Sequence, residues 1–205
     1  MRSTLTGLLS SVLLGLACSC AGDELVGLHI TLAEDGSGVL TTRALAELPD
    51  PTEVEKRTKG VDYKLRAAVV SSQGTFDDIG QVTLSDGEVE FAPQLNGDRT
   101  ALRVTIARGP GTRWIEALVP DAAGRQRAAK AYDPSGRTSE IADVLRLEVV
   151  TPGAVVTSGV LPTGRGVQPD RDGKRAILLL PVKTALEEGD AFVWDVTWLK
   201  GRDRR

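Results

Sequence analysis

The side chains best suited to chemistry in this 205-residue chain are carboxylates. They form two short acidic groups, Asp77-Asp78 and Glu187-Glu188 with Asp190. Two carboxyl groups at the right separation are enough for acid/base hydrolysis of a glycoside. Neighbouring residues on a strand point to opposite faces, however, so solvated loop charges explain both groups more simply. A carboxylate-dependent hydrolase stays an alternative, and no catalytic residue is assigned.

Histidine and cysteine are too scarce for most other active sites. The one histidine, His29, alternates with aliphatic residues and is expected on the surface. Both cysteines, Cys18 and Cys20, lie near the N-terminus, so the folded part has no thiol for a disulfide, a zinc site or a Cys/His pair. Residues 170–173, DRDG, match only the start of a calcium loop, and a turn between strands is expected there. The sequence therefore predicts neither a metal nor a cofactor.

The N-terminus has the pattern of an export signal. Arg2 precedes an apolar run over residues 8–16, which is too short to span a bilayer. A small residue followed by cysteine is typical of bacterial lipoproteins, in which the thiol carries an anchoring lipid. We predict lipidation at Cys18, with Cys20 as the alternative. Ordinary cleavage after Ala21 would instead give a secreted or periplasmic soluble protein.

Composition and length indicate one globular domain. The chain is 41% hydrophobic and 26% charged, as expected for a conventional core. Residues 1–22 are assigned to the signal and anchor region, residues 23–200 to one domain, and residues 201–205 to a charged tail. The formal net charge is −3. Nucleic-acid binding needs a concentrated basic face, so nucleic acid is not an expected partner of this mildly acidic chain.

Tight turns predict a series of β-hairpins. Asp35-Gly36, Asp86-Gly87 and Asn96-Gly97 each separate two runs of alternating apolar residues. Further strands are expected around residues 61–69, 145–149, 155–156, 176–180 and 192–199.

Two regions have helical signals. Asp50-Pro51-Thr52-Glu53 has the residue types of a helix start, and Gly60 would end that helix. Residues 112–132 form a second region, which Pro120 interrupts. Strands and helices together predict an α+β fold, with an antiparallel sheet of about six to eight strands packed against two or three helices.

An aromatic stripe near the C-terminus is the candidate for binding. Phe192, Trp194, Val196 and Trp198 share one face of a predicted strand, and Trp114 is the remaining tryptophan. Large aromatic side chains most often fill a core. The same face would also suit the wall of an apolar cavity, so these five residues are the candidates for a ligand pocket.

Two segments resemble the LppM-type domain of bacterial cell-envelope lipoproteins. They are residues 30–38, ITLAEDGSG, and residues 145–155, LRLEVVTPGAV, which Ser158-Gly159 follows. The resemblance implies a non-catalytic α+β domain of a family linked to binding envelope lipids. Similar proteins often continue into a transmembrane helix, whereas this sequence stops after residues 201–205, so the N-terminal lipid is expected to be the only anchor. The matched motifs are structural and carry over no binding residue.

The sequence thus predicts an exported lipoprotein of the bacterial envelope, held at a membrane through its N-terminal lipid. Its domain is expected to bind a lipid or another apolar ligand, without catalysis. A structural or protein-docking module without a ligand is the alternative.

Overall fold

A computed structural model describes residues 26–45, 69–125, 143–164 and 166–200 of the chain. Strands account for most of these residues. In chain order they are β1 (Gly27–Leu32), β2 (Gly38–Leu45), β3 (Val69–Phe76), β4 (Thr83–Leu84), β5 (Val89–Asn96), β6 (Arg99–Ile106), β7 (Val144–Val150), β8 (Val155–Leu161), β9 (Gln168–Asp172), β10 (Arg175–Pro181) and β11 (Phe192–Leu199). The helical segments that lie wholly within these ranges are short, namely the 3₁₀ helix Ile79–Gln81, α1 (Arg113–Glu116) and α2 (Val182–Ala185). Residues 122–125 are also helical.

The strands form two sheets. Sheet A has six strands in the order β3-β2-β1-β7-β10-β9, and sheet B has five in the order β4-β5-β6-β11-β8. Neighbouring strands are antiparallel except for β1 and β7, which run parallel with Leu28 opposite Leu147 and Ile30 opposite Val149.

Alternation along the strands explains why two sheets face each other. In β1 the buried aliphatic residues are Leu28, Ile30 and Leu32, and in β11 every second side chain from Phe192 to Trp198 is buried. Each sheet therefore has one apolar face, which must be removed from water. The two faces meet in a single hydrophobic cluster with residues from both sheets, so the fold is a β-sandwich.

The prediction of an α+β fold is wrong. It assumed that helices cover the apolar face of one sheet, but in the described residues the second sheet does so. Within residues 112–132, α1 has only four residues, residues 122–125 are also helical, and residues 126–132 lie outside the described ranges. The helix predicted from Asp50 to Gly60 also lies outside them. Of the strand predicted at residues 61–69, only Val69 is described, and it begins β3.

The predicted hairpins are confirmed. β1 pairs with β2 around Asp35-Gly36, β4 pairs with β5 around Asp86-Gly87, and β5 pairs with β6 around Asn96-Gly97. The glycine of each turn has a positive φ, which glycine adopts without a steric penalty.

Two turn predictions need separate comment. The turn expected at residues 170–173 is displaced, because Asp170 and Asp172 belong to β9 and pair with β10. The strand breaks between β7 and β8 at Pro152-Gly153, as predicted.

Candidate functional site

A groove with a volume of about 560 Å³ opens between the two sheets at one end of the sandwich. Cavities of this size are typical of small-molecule sites. The lining comes from the β1–β2 turn, the 3₁₀ helix, the β5–β6 hairpin and the ends of β7 and β11. Its residues are Leu32, Ala33, Glu34, Asp35, Gly36, Asp78, Ile79, Pro93, Leu95, Thr100, Leu102, Pro152, Trp198 and Lys200.

The floor of the groove consists of buried apolar side chains. Leu32 ends β1, and Leu102 and Trp198 lie on the inner faces of β6 and β11. These three side chains are between 0% and 6% exposed. Ile79 joins them from the 3₁₀ helix, whose first turn Asp78 caps by accepting a hydrogen bond from the Gly80 amide at 2.8 Å. Both sheets therefore contribute to the floor.

One wall is the outer part of the β5–β6 hairpin. β4 pairs only with Val89 and Glu90, so within the described residues the rest of β5 has β6 as its only strand partner. Pro93 lies in this part of β5, where the missing N–H of proline costs no ladder hydrogen bond. Leu95 lines the groove and is 77% exposed. It offers apolar surface that a ligand would cover.

Charged side chains surround this apolar floor. The lining residues include Glu34, Asp35, Asp78 and Lys200. Asp35 accepts hydrogen bonds from the Ser37 hydroxyl at 2.7 Å and the Ser37 amide at 3.0 Å. The hydroxyl contributes most to lowering the pKa of Asp35, so this carboxylate is ionised at neutral pH.

Of the five predicted pocket candidates, Trp198 lines the groove and the other four do not. Phe192, Trp194 and Val196 are at most 1% exposed in the core. Trp194 Nε1 donates to Ser158 Oγ at 3.0 Å, and Trp114 Nε1 donates to the carbonyl of Ala107 at 2.8 Å, beyond the other end of β6. A ligand role for these residues stays a prediction.

Sequence reasoning missed most of the groove. Leu32, Ile79 and Leu95 come from separate elements that only the packing of the two sheets brings together. The Asn96-Gly97 turn did predict the hairpin that forms the wall. No local pattern distinguishes Leu95 from the many apolar residues that are buried.

The predicted acidic groups do not form one site. Asp78 lines the groove, whereas residues 187–190 precede Phe192, at the other end of β11 from Trp198. A strand of this length spans about 20 Å or more, which is too far for a carboxylate pair. Among the residues that the structure describes, no group of three or more His, Cys, Asp or Glu residues is placed to hold a metal ion.

A second polar cluster lies on the outer face of sheet A. Glu148 of β7 is buried there, and its carboxylate is 2.7 Å from Arg146 Nη2 and 3.7 Å from both His29 Nδ1 and Arg175 Nε. Burial alone would raise the pKa of Glu148, but the adjacent His29 ring and the ion pair with Arg146 outweigh it and lower the pKa to about 2. The cluster is an ion-pair network that joins three strands.

Two further observations concern the membrane. Cys18 and Cys20 lie outside the described residues, so lipidation stays a prediction. Within the part of the chain that the structure describes, none of the helices is both long and apolar enough to cross a bilayer.

Comparison with solved structures finds similarity to the NMR structure of the folded domain of LppM from Mycobacterium tuberculosis. The match has 16% sequence identity and a TM-score of 0.38, and it covers 88% of this chain and 92% of that chain. The resemblance predicted from residues 30–38 and 145–155 is thus confirmed. A TM-score of 0.38 is too low to transfer a ligand or a residue role. No family model and no curated protein matches the chain.

Proposed function

We propose that this chain is an exported, non-catalytic lipoprotein of the bacterial envelope whose domain binds a lipid or another apolar ligand in the groove. The observation that carries the proposal is the groove itself, which combines a volume of about 560 Å³ with a floor of Leu32, Leu102, Ile79 and Trp198. Binding sites for ligands with apolar chains combine such an apolar surface with a small number of polar groups.

Exposure of Leu95 supports the proposal. A leucine that is 77% exposed keeps apolar surface in contact with water, and covering that surface is favourable. An acyl chain in the groove would contact Leu95 from one side and Trp198 from the other. The predicted lipid on Cys18, or on Cys20, would keep the domain close to a membrane that supplies such chains.

Native mass spectrometry of the protein purified from the envelope of an exporting bacterial host tests the proposal. We expect a complex with one bound lipid, which solvent extraction then identifies. A protein that is empty, and stays empty after incubation with extracted envelope lipids, would contradict ligand binding and favour the docking module.

A pair of tryptophan variants tests whether a bound lipid lies in the groove. Trp198→Phe should reduce the fraction of protein that retains lipid, because Trp198 lines the groove. Trp194→Phe is the matched control on the same face of β11. It should cost stability through loss of the hydrogen bond to Ser158 but leave lipid occupancy unchanged. Equal lipid occupancy in both variants would place the lipid elsewhere.

A further inference from the structure

The charges at the groove constrain the ligand further, and this step rests on the proposed function. Four charged residues line the groove, namely Glu34, Asp35, Asp78 and Lys200. Their formal charges, three negative and one positive, sum to −2 around an apolar floor. A purely apolar ligand would make no use of these groups, whereas an amphiphile would place its head group among them.

Two of these carboxylates are held in position by local hydrogen bonds. Asp35 is fixed through Ser37, and Asp78 accepts from the Gly80 amide at 2.8 Å and from Gln81 Nε2 at 3.4 Å. A carboxylate oxygen has several lone pairs, so each side chain retains capacity to accept from a ligand. Fixed acceptors lose little conformational freedom when they bind.

We infer that the groove selects an amphiphile whose head group donates hydrogen bonds and carries no net negative charge. The apolar chain would lie along the floor formed by Leu32, Leu102 and Trp198. A hydroxyl or ammonium head would donate to the carboxylates, and Lys200 would donate to an ester or hydroxyl oxygen of the same head. The surplus of negative charge on the lining residues would instead repel an anionic head group, because charges this close together are only partly screened at physiological salt.

Three probes with the same lauryl chain isolate the head group: laurylammonium, monolaurin and laurate. The protein is the exported chain with Cys18→Ser and Cys20→Ser, which removes the predicted lipid. Titration calorimetry at neutral pH, with each probe below the concentration at which it aggregates, gives three Kd values. We expect laurylammonium and monolaurin to bind roughly three- to tenfold more tightly than laurate, with the gap between laurylammonium and laurate narrowing as salt is added.

A matched pair of charge reversals distinguishes the effect of charge in the groove on ligand binding from the effect of the net charge of the protein. Glu34→Lys should tighten laurate binding and weaken laurylammonium binding. Glu187→Lys changes the net charge equally at an exposed position that does not line the groove, so it should change neither Kd appreciably.

The outcomes distinguish this inference from the proposed function. Laurate binding as tightly as monolaurin, or identical effects of the two charge reversals, would overturn the selection of head groups while leaving the apolar groove in place. Failure of all three probes to bind would overturn the proposed function itself.

Discussion

Gly153 lies directly against the backbone carbonyl of Leu199, so closely that a Cβ atom at position 153 would overlap the carbonyl oxygen. The same Cβ would come within 3.4 Å of Trp198 Cδ1. Gly153 therefore lets the segment after β7 pack onto the end of β11, where Leu199 donates its amide to the carbonyl of Ala154 at 3.1 Å. Pro152 and Trp198, on either side of this contact, both line the groove.

Gly153→Ala should lower the free energy of unfolding by about 1–3 kcal/mol, because the obstructing atom belongs to the backbone and cannot rotate away. Urea denaturation measures the change. Gly159→Ala is the control, since nothing lies within 4 Å of a Cβ atom at that position in β8. We expect its effect to stay within about 0.5 kcal/mol. Equal stability of the two variants would argue against the close contact with Leu199.

Replacement of Glu148 should make the free energy of unfolding depend less on pH in the acid range. The pKa of this carboxyl in the folded state is about 2, below its ordinary value of 4.5. The ionised form therefore contributes stability above pH 4.5, and this contribution is lost as the pH falls toward 2. We expect the wild-type protein to lose about 2–3 kcal/mol more than Glu148→Gln over that range.

Urea denaturation at a series of pH values measures this difference. Glu187→Gln, at an exposed carboxylate outside the cluster, is expected to keep the wild-type slope. Parallel curves for wild type and Glu148→Gln would show that the contacts of Glu148 with His29 and Arg146 contribute no net stability.

The exposed leucine of the groove wall should affect binding without affecting folding. Leu95→Ser removes apolar surface that a ligand would cover and is expected to weaken monolaurin binding by roughly threefold to tenfold. Since Leu95 is 77% exposed, the unfolding midpoint should hardly change. Leu161→Ser is the control, because Leu161 is 68% exposed in β8 and does not line the groove. A similar loss of affinity in both variants would mean that the ligand does not lie in the groove.

The anchor can be located with two single substitutions. Cys18→Ser should abolish incorporation of radiolabelled palmitate and shift the protein from the membrane fraction to the soluble fraction, since the thiol carries the lipid. Cys20→Ser should leave both properties unchanged. The opposite pattern would move the anchor to Cys20. Labelling of none of the proteins, including wild type, would support cleavage after Ala21 and a soluble product.

Local signals predicted the strands well and the architecture poorly. Alternation and turn residues correctly placed the hairpins at Asp35-Gly36, Asp86-Gly87 and Asn96-Gly97, because a strand and its turn depend on residues close in the chain. The α+β class was wrong because it assigned the cover of the apolar sheet face to helices, whereas a second sheet provides it; in the described part of residues 112–132, helix is limited to Arg113–Glu116 and residues 122–125. Propensity is a weak signal when tertiary packing opposes it.

The sequence by itself determined which faces of the strands are apolar, where the tight turns fall, and that the described domain contains no cysteine. These properties follow from residue type and spacing along the chain. The tertiary structure alone decided that two sheets bury each other and that β1 pairs in parallel with β7, over a hundred residues away. It also assembled the groove, because Leu32, Ile79, Leu95 and Trp198 become neighbours only when the sheets pack. Such contacts depend on long-range burial, which no local pattern encodes.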